Sequence, residues 1–385
     1  MNINKIKLQI FLAIITFLII DIIAYTFFSE KIRKYFVNYA VDYYEFSRGY
    51  PRFHFKSDTE LGFDINENFK TSTNRNPIGY GYYEVWGNSY GCYDREWEKK
   101  DLNHENVIYL AGDSVTWGYV KHDKKFGTIL EKKFESPVLK CGVTHTGQRH
   151  QFLKFKRLFE KYEIRPKIVL VTIVANDIKN DYFFSHSTVI DGYHVENIET
   201  CHKKNSYTWK RLPKEKLLKE YYDLKNRKFN LRNFLREYSF SAIITAKLTE
   251  KIRYFTIIKT NSNEKCYRKL AEYNQLNYKE EDYANSRISY NNRKAILDWS
   301  KHARKNNYKL VLSFFPHDDS FNIGISNNII KFYKKHQSIK VLDFPKYIKD
   351  NKIVRNNLYH TGGHFNEFGE LVYSEFLEKK LKKFF

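Results

Sequence analysis

The sequence predicts an α/β fold, a doubly wound parallel sheet in three layers, carried behind an apolar N-terminal helix and interrupted by a largely helical insertion. Three observations predict it. From Asn106 onward, short apolar runs alternate with stretches whose apolar residues recur at helical spacing. One run, "KIVLVTIVAND" (167–177), is almost continuously apolar, as a strand buried on both faces of a parallel sheet must be. And "LQIFLAIITFLIIDIIAYTFF", Leu8 to Phe28, matches the roughly 20 residues that a helix needs to cross a bilayer.

The N-terminal run is expected to be an uncleaved, single-pass transmembrane anchor. A signal peptide would be followed by a small-residue cleavage site, and Phe27-Phe28-Ser29-Glu30 is a poor one. Asp21 is costly in lipid, by roughly 3 kcal/mol, which the surrounding Leu, Ile and Phe offset. Lys5 and Lys7 precede the run, and Lys31, Arg33 and Lys34 follow it, so charge does not decide the orientation. Residues 29–105 make a stalk and lead-in. "SEKIRKYFVNYAVDYYEF" (29–46) is helical in pattern, and "DTELGFDINENF" and "NSYGCYDREW" punctuate loops and short strands.

The catalytic-type domain is placed at 106–385. Strands are predicted in "NVIYLAG", "PVLKCGV", "KIVLVTIVAND", "YKLVLSFFP" and "IKVLDF". Helices are predicted in "DKKFGTILEKKFE", "RHQFLKFKRLFEKYEI", "SYNNRKAILDWSKHARKNN" and "NEFGELVYSEFLEKKLKK". Between 178 and 287 the alternation stops. That Tyr-, Asn- and Lys-rich stretch, with "PKEKLLKEYYDLKNRKFNLRNFLREYSFSAIITAKLTEKI" inside it, is predicted to be a helical insertion or cap after the third strand.

A formal charge of +22 invites an anionic partner: nucleic acid, anionic lipid or acidic polysaccharide. The lysines are spread along the chain, however, and Lys, Asn, Ile, Tyr and Phe are abundant together, as A+T-biased coding produces without selection for a partner. No nucleic acid is expected. Four cysteines are too few for a disulfide framework and lack metal-type spacing; Cys201 and Cys266 are left as a pair that would close inside the insertion. Neither a metal nor a cofactor is implied.

Ligands of a parallel sheet gather at the carboxyl ends of its strands. There the sequence places Gly112-Asp113-Ser114 after the first strand, Gly142 to Gly147 after the second, and Asn176-Asp177 after the third. "HTGGHFNEFG", with His364, stands before the last helix. A serine, a histidine and amide donors on one rim have the parts for acyl transfer: nucleophile, general base and oxyanion stabilisers. Each has a plainer reading, Gly-Asp-Ser and Gly147 as turns, Asn176-Asp177 as a helix cap, His364 as a loop residue.

On these residues the chain resembles the SGNH/GDSL hydrolase superfamily. Gly112-Asp113-Ser114-Val115 stands where the family has its GDS(L) block, and Asn176-Asp177 matches the "ND" of the third block. Gly147 matches the second-block glycine, with His145 as an alternative occupant. His364, followed by Asn366 and Gly369, matches the last block. The lead-in "NSYGCYDREW" resembles one bacterial subgroup. The resemblance covers roughly 57–177 and 288–385. It implies a flavodoxin-like sheet, Ser114 as nucleophile, His364 as base, and Gly147 and Asn176 as oxyanion donors. It further implies an esterase acting on small or carbohydrate-borne acyl esters without a cofactor. With the anchor, it implies O-acetyl groups of cell-envelope glycans and an extracytoplasmic catalytic domain. An O-acyltransferase using the same site, or an inactive glycan- or lipid-surface module, are the alternatives.

The sequence departs from the family in two places. Val174 replaces the first glycine of the third block, and Thr361 stands where an aspartate usually orients the histidine. Three outcomes stay open: a dyad oriented by a carbonyl or the Thr361 hydroxyl, a substitute carboxylate from Asp318, Asp319 or Asp343, or a slow or inactive enzyme. Loss of such an aspartate costs serine proteases roughly 10⁴-fold in rate.

Overall fold

The computed structural model describes residues 3–35, 55–67, 70–72, 83–174, 176–190, 280–285, 287–315, 323–360 and 364–385, with short pieces between 193 and 245. Helix α1, Ile3–Tyr35, includes a stretch at Lys5–Phe27 long and apolar enough to cross a membrane. Within it, Asp21 is buried and its carboxylate accepts the Ser241 N–H at 2.7 Å, so the one acid in the apolar run has a donor. The remainder of the stalk prediction, from 36 to 46, and most of the insertion, including Cys201 and Cys266, lie outside the described residues.

The core sheet has five strands: β1 Ile108–Ala111, β2 Val138–Lys140, β3 Ile168–Ile173, β4 Lys309–Phe314 and β5 Lys340–Asp343. All pair in parallel, in the order β2–β1–β3–β4–β5. That is the flavodoxin-like order, with its switch point between β1 and β3. The fold expectation is met.

Side chains alternate along a strand, so each strand feeds both faces. On one face Tyr109, Val169, Val171 and Leu312 pack under α2 (Gln148–Lys161) and its neighbours α4 (Arg287–Lys305) and α5 (Ile323–Lys334), with Phe155, Trp299 and Tyr333 at the centre. On the other, Ile108, Leu110, Ile168 and Val311 pack under Phe126, Leu130, Phe344, Tyr373 and Phe376. These last come from Phe126–Phe134, Phe344–Asp350 and the closing helix α6, Glu367–Leu381. Helix α3, Asn176–His186, follows β3 and packs between α2 and α4.

Several elements went unread in the sequence, among them two short antiparallel pairs within the expected helical insertion, Thr188–Ile190 with Tyr193–Val195 and Ile198–Glu199 with Lys210–Arg211. The helix Phe344–Asp350 starts inside the segment predicted as strand: Asp343 caps it by accepting the Lys346 N–H at 3.1 Å, and Pro345 sits in its first turn. Proline's fixed φ suits that position, so "DFP" is a helix start. Helix α5 was hidden by Gly324, Asn327 and Asn328, which lower helix propensity along its apolar spacing.

The lead-in is built into the fold. Phe55, Ile65, Val85 and Tyr93 form a third cluster with Trp117, Tyr119 and Val143, beside the end of β1. Cys92 is bonded to Cys141 at the end of β2, a pairing across 49 residues that the sequence reading did not make. Next to it Asp94 is fully buried. Its carboxylate accepts the Lys140 N–H at 3.0 Å and the Trp97 indole N–H at 2.7 Å, and it pairs with the Lys140 ammonium and His122, each at 3.0 Å. Burial opposes its ionisation, but Lys140 and His122 hold the carboxyl well below the usual range.

Candidate active site

The register of the sheet brings the site residues together. Ala111 of β1 stands opposite Val171 of β3, so the chain leaves both strands at the same rim. Ser114 follows three residues beyond Ala111, and Asn176 five beyond Val171. The turn between β1 and Ser114 is tight. A Cβ on Gly112 would lie 2.0 Å from the Thr172 hydroxyl and 2.1 Å from that of Thr116, two groups hydrogen-bonded at 2.6 Å. Only glycine fits there, and the strand end is thereby tied to β3.

Ser114 opens a single helical turn, Ser114–Trp117, whose cap is Asp113. The buried Asp113 carboxylate accepts the Val115 N–H at 3.1 Å, the Ser114 hydroxyl at 3.3 Å and the Asn176 side-chain N–H at 2.9 Å. The helix that Ser114 opens is only one turn long, and Asp113 occupies its Val115 N–H. An amide nitrogen carries two hydrogens, so Asn176 retains a second donor beyond the one given to Asp113.

Ser114 is 8% exposed, and its hydroxyl lies 2.8 Å from His364 Nε2 across 250 residues of chain. The loop that presents His364 is anchored on both sides. Phe365 is buried against Phe315, Phe344 and Tyr373, and Tyr359 bridges to it in antiparallel fashion. Asn366 caps α6 by accepting the Gly369 N–H at 2.9 Å and donates to the Asn357 carbonyl at 2.9 Å. The His-x-Asn-x-x-Gly spacing is thus a device that fixes the imidazole by its neighbours. The Tyr119 ring lies 4.4 Å from the imidazole, centroid to centroid.

Gly147 is the N-terminal cap residue of α2, in extended backbone, while His145 sits in the turn before it with φ of 60°. Hydrogen bonds from α3 reach the start of the helix that follows this turn. Asp181 accepts the Gln148 and Arg149 N–H groups at 3.1 and 2.7 Å, and Asp177 accepts the Gln148 side-chain amide at 2.8 Å. Asp177 also takes the Val174 N–H at 3.0 Å; burial and the neighbouring Asp113 push its carboxyl well above the ordinary range. Asp177 therefore links helices within the fold, and Asn176 alone of the pair reaches the serine turn.

Of the carboxylates weighed as partners for His364, Asp343 is engaged elsewhere, capping Phe344–Asp350 and pairing with Lys334 at 3.2 Å. Asp318, Asp319 and Thr361 lie outside the described residues. Among the described residues no group of three or more His, Cys, Asp or Glu is arranged to hold a metal.

The Ser114–His364 pair at the rim of a flavodoxin-like sheet has the parts of a nucleophile and a base for acyl transfer. The chain is similar to several solved structures. A GDSL-family lipolytic protein from Desulfitobacterium hafniense matches with 13% identity over 71% of this chain and 99% of its own, TM-score 0.36. A lipase/acylhydrolase from Enterococcus faecalis matches with 12% identity over 72% and 96%, TM-score 0.35. A two-domain esterase active on acetylated mannans matches with 10% identity over 72% of this chain and 49% of that one, TM-score 0.34. No family model and no curated protein sequence matches the chain.

Proposed function

We propose that this chain is a membrane-anchored serine esterase that removes O-acyl groups, chiefly O-acetyl, from cell-envelope glycans through an acyl-enzyme on Ser114. The 2.8 Å contact between Ser114 Oγ and His364 Nε2 carries the proposal. In the reaction His364 takes the hydroxyl proton as Oγ attacks the acyl carbon. The tetrahedral oxyanion is met by the free hydrogen of the Asn176 amide and by the Gly147 N–H. Collapse expels the sugar alkoxide, which receives the proton from His364. Water, activated by the same imidazole, then releases the acid. No cofactor enters any step.

The anchor rests on α1, whose Lys5–Phe27 stretch has the length and composition of a span. The Cys92–Cys141 bond supports an extracytoplasmic catalytic domain, because disulfides persist in oxidising compartments. Glycan esters of the envelope follow from that location together with the acyl-transfer chemistry. The test is labelling of membranes with a fluorophosphonate. The full chain should be labelled, Ser114→Ala should abolish labelling, and His364→Ala should reduce it strongly. Equal labelling of the Ser114→Ala variant would overturn the assignment.

A further inference from the structure

We propose that Asp181 is a positioning residue for the oxyanion side of the site: its buried carboxylate occupies the place where Gly147 has no side chain, caps α2 from outside, and fixes the Gly147 turn relative to Asn176. The inference rests on the reading of Ser114, Gly147 and Asn176 as reacting groups.

The first N–H groups of a helix need acceptors, and a cap residue normally supplies one from its own side chain. Gly147 cannot. Asp181 does so instead: Oδ1 accepts the Arg149 N–H at 2.7 Å, and Oδ2 accepts the Gln148 N–H at 3.1 Å. The fit is close enough to require glycine at 147. A Cβ there would lie 2.4 Å from Asp181 Oδ1 and 2.7 Å from its backbone nitrogen. Asn176 stands five residues earlier on the same helix, about 7.5 Å along its axis at 1.5 Å per residue. One rigid element therefore carries one proposed oxyanion donor and grips the turn that carries the other.

The grip is itself held. Asn292 of α4 donates to Asp181 Oδ2 at 2.7 Å and accepts the Tyr283 hydroxyl at 3.0 Å; that hydroxyl lies 2.8 Å from the Tyr333 hydroxyl of α5. Tyr283 sits in the short helix Glu280–Asn285, where the chain returns from the insertion. The groups facing Asp181 are thus Arg149 on α2, Asn292 on α4, Tyr283, Tyr333 on α5, and Asp177 on its own helix. Burial pushes the Asp181 carboxyl up to about 7, against the lowering effect of the Arg149 and Gln148 amides and Asn292. Protonation turns one acceptor oxygen into a donor facing N–H groups, which loosens the turn.

The experiment uses the full chain in detergent, p-nitrophenyl acetate as probe, and Asp181→Asn, which keeps the shape but removes one acceptor. The wild-type acid limb of kcat should include the Asp181 proton. In Asp181→Asn that proton should be missing and the limb shallower, with a plateau about 10- to 100-fold lower and KM little changed, because misplaced donors are felt in the transition state. An unchanged plateau and limb, or a rise in KM alone, overturns the proposal. A second readout separates it from the functional reading. If the wild type shows no Ser114-dependent turnover, that reading fails, and hydrogen exchange decides the clamp. Faster exchange of the Gln148 and Arg149 amides in Asp181→Asn, with β3 amides unchanged, upholds it; unchanged exchange overturns it.

Discussion

Glu370 offers a quantitative test of the packing around the His364 loop. It lies in the first turn of α6, fully buried, and its Oε2 accepts the Phe126 N–H at 2.7 Å. Burial raises its pKa to about 8, opposed by that hydrogen bond and by Lys125. An unfolded glutamate titrates near 4.5. Between these values the unfolded chain has lost a proton that the folded chain keeps, so stability falls as pH rises. The slope is about 1.4 kcal/mol per pH unit. From pH 5 to pH 7 this amounts to roughly 2–3 kcal/mol, and it approaches about 5 kcal/mol above pH 8. Glu370→Gln keeps an acceptor for Phe126 and removes the titration. Its thermal midpoint in detergent should match wild type near pH 5 and exceed it by several degrees at pH 7. Buried Lys125, lowered to about 7, contributes the opposite slope, stability rising with pH, but only above pH 7. The window from 5 to 7 is therefore free of it. Parallel midpoints of wild type and variant across that window would refute the assignment of a buried, protonated Glu370.

Asn176→Ala should lower kcat on a small acyl ester by ~10² to 10³ with KM nearly unchanged, the cost of one oxyanion donor; steady-state kinetics check it, and a rise in KM alone would make Asn176 a binding residue. Thr361→Asp should raise kcat/KM for an acetyl ester about tenfold, well short of the ~10⁴ that removal of a native aspartate costs. Thr361→Val should lower it if the hydroxyl orients the imidazole, and unchanged rates in both would place that function elsewhere. Replacing Cys92 and Cys141 together with alanine opens a loop spanning 49 residues and should cost about 4 kcal/mol by chain entropy, read as a lowered midpoint insensitive to reductant.

Much of this was legible in the sequence because it depends on local pattern. The apolar run before Asn176 could only be a strand covered on both faces, and it is the middle strand of the sheet. Ser114, Asn176 and His364 stood out as candidates because strand ends are where a parallel sheet presents side chains. Contacts made across long separations left no such trace. Nothing near Glu370 announces that it caps a helix at Phe126, and nothing near Asp181 announces Gly147. A glycine at a helix cap was the available signal, since it implies that another element supplies the acceptor. Asp94 was equally hidden: an acid in a loop reads as solvated until Lys140 and Trp97 are seen around it.

The 250 residues between Ser114 and His364 have a consequence for biosynthesis. A ribosome adding roughly 5–20 residues per second needs on the order of 12–50 s to travel from one to the other. At the start of that interval α1, β1 and the serine turn have been made; β2 and β3 follow within it, and the proposed base comes at its end. On the proposed reading, the nascent chain carries its nucleophile unarmed until the segment with His364 docks, and translation order acts as a safeguard.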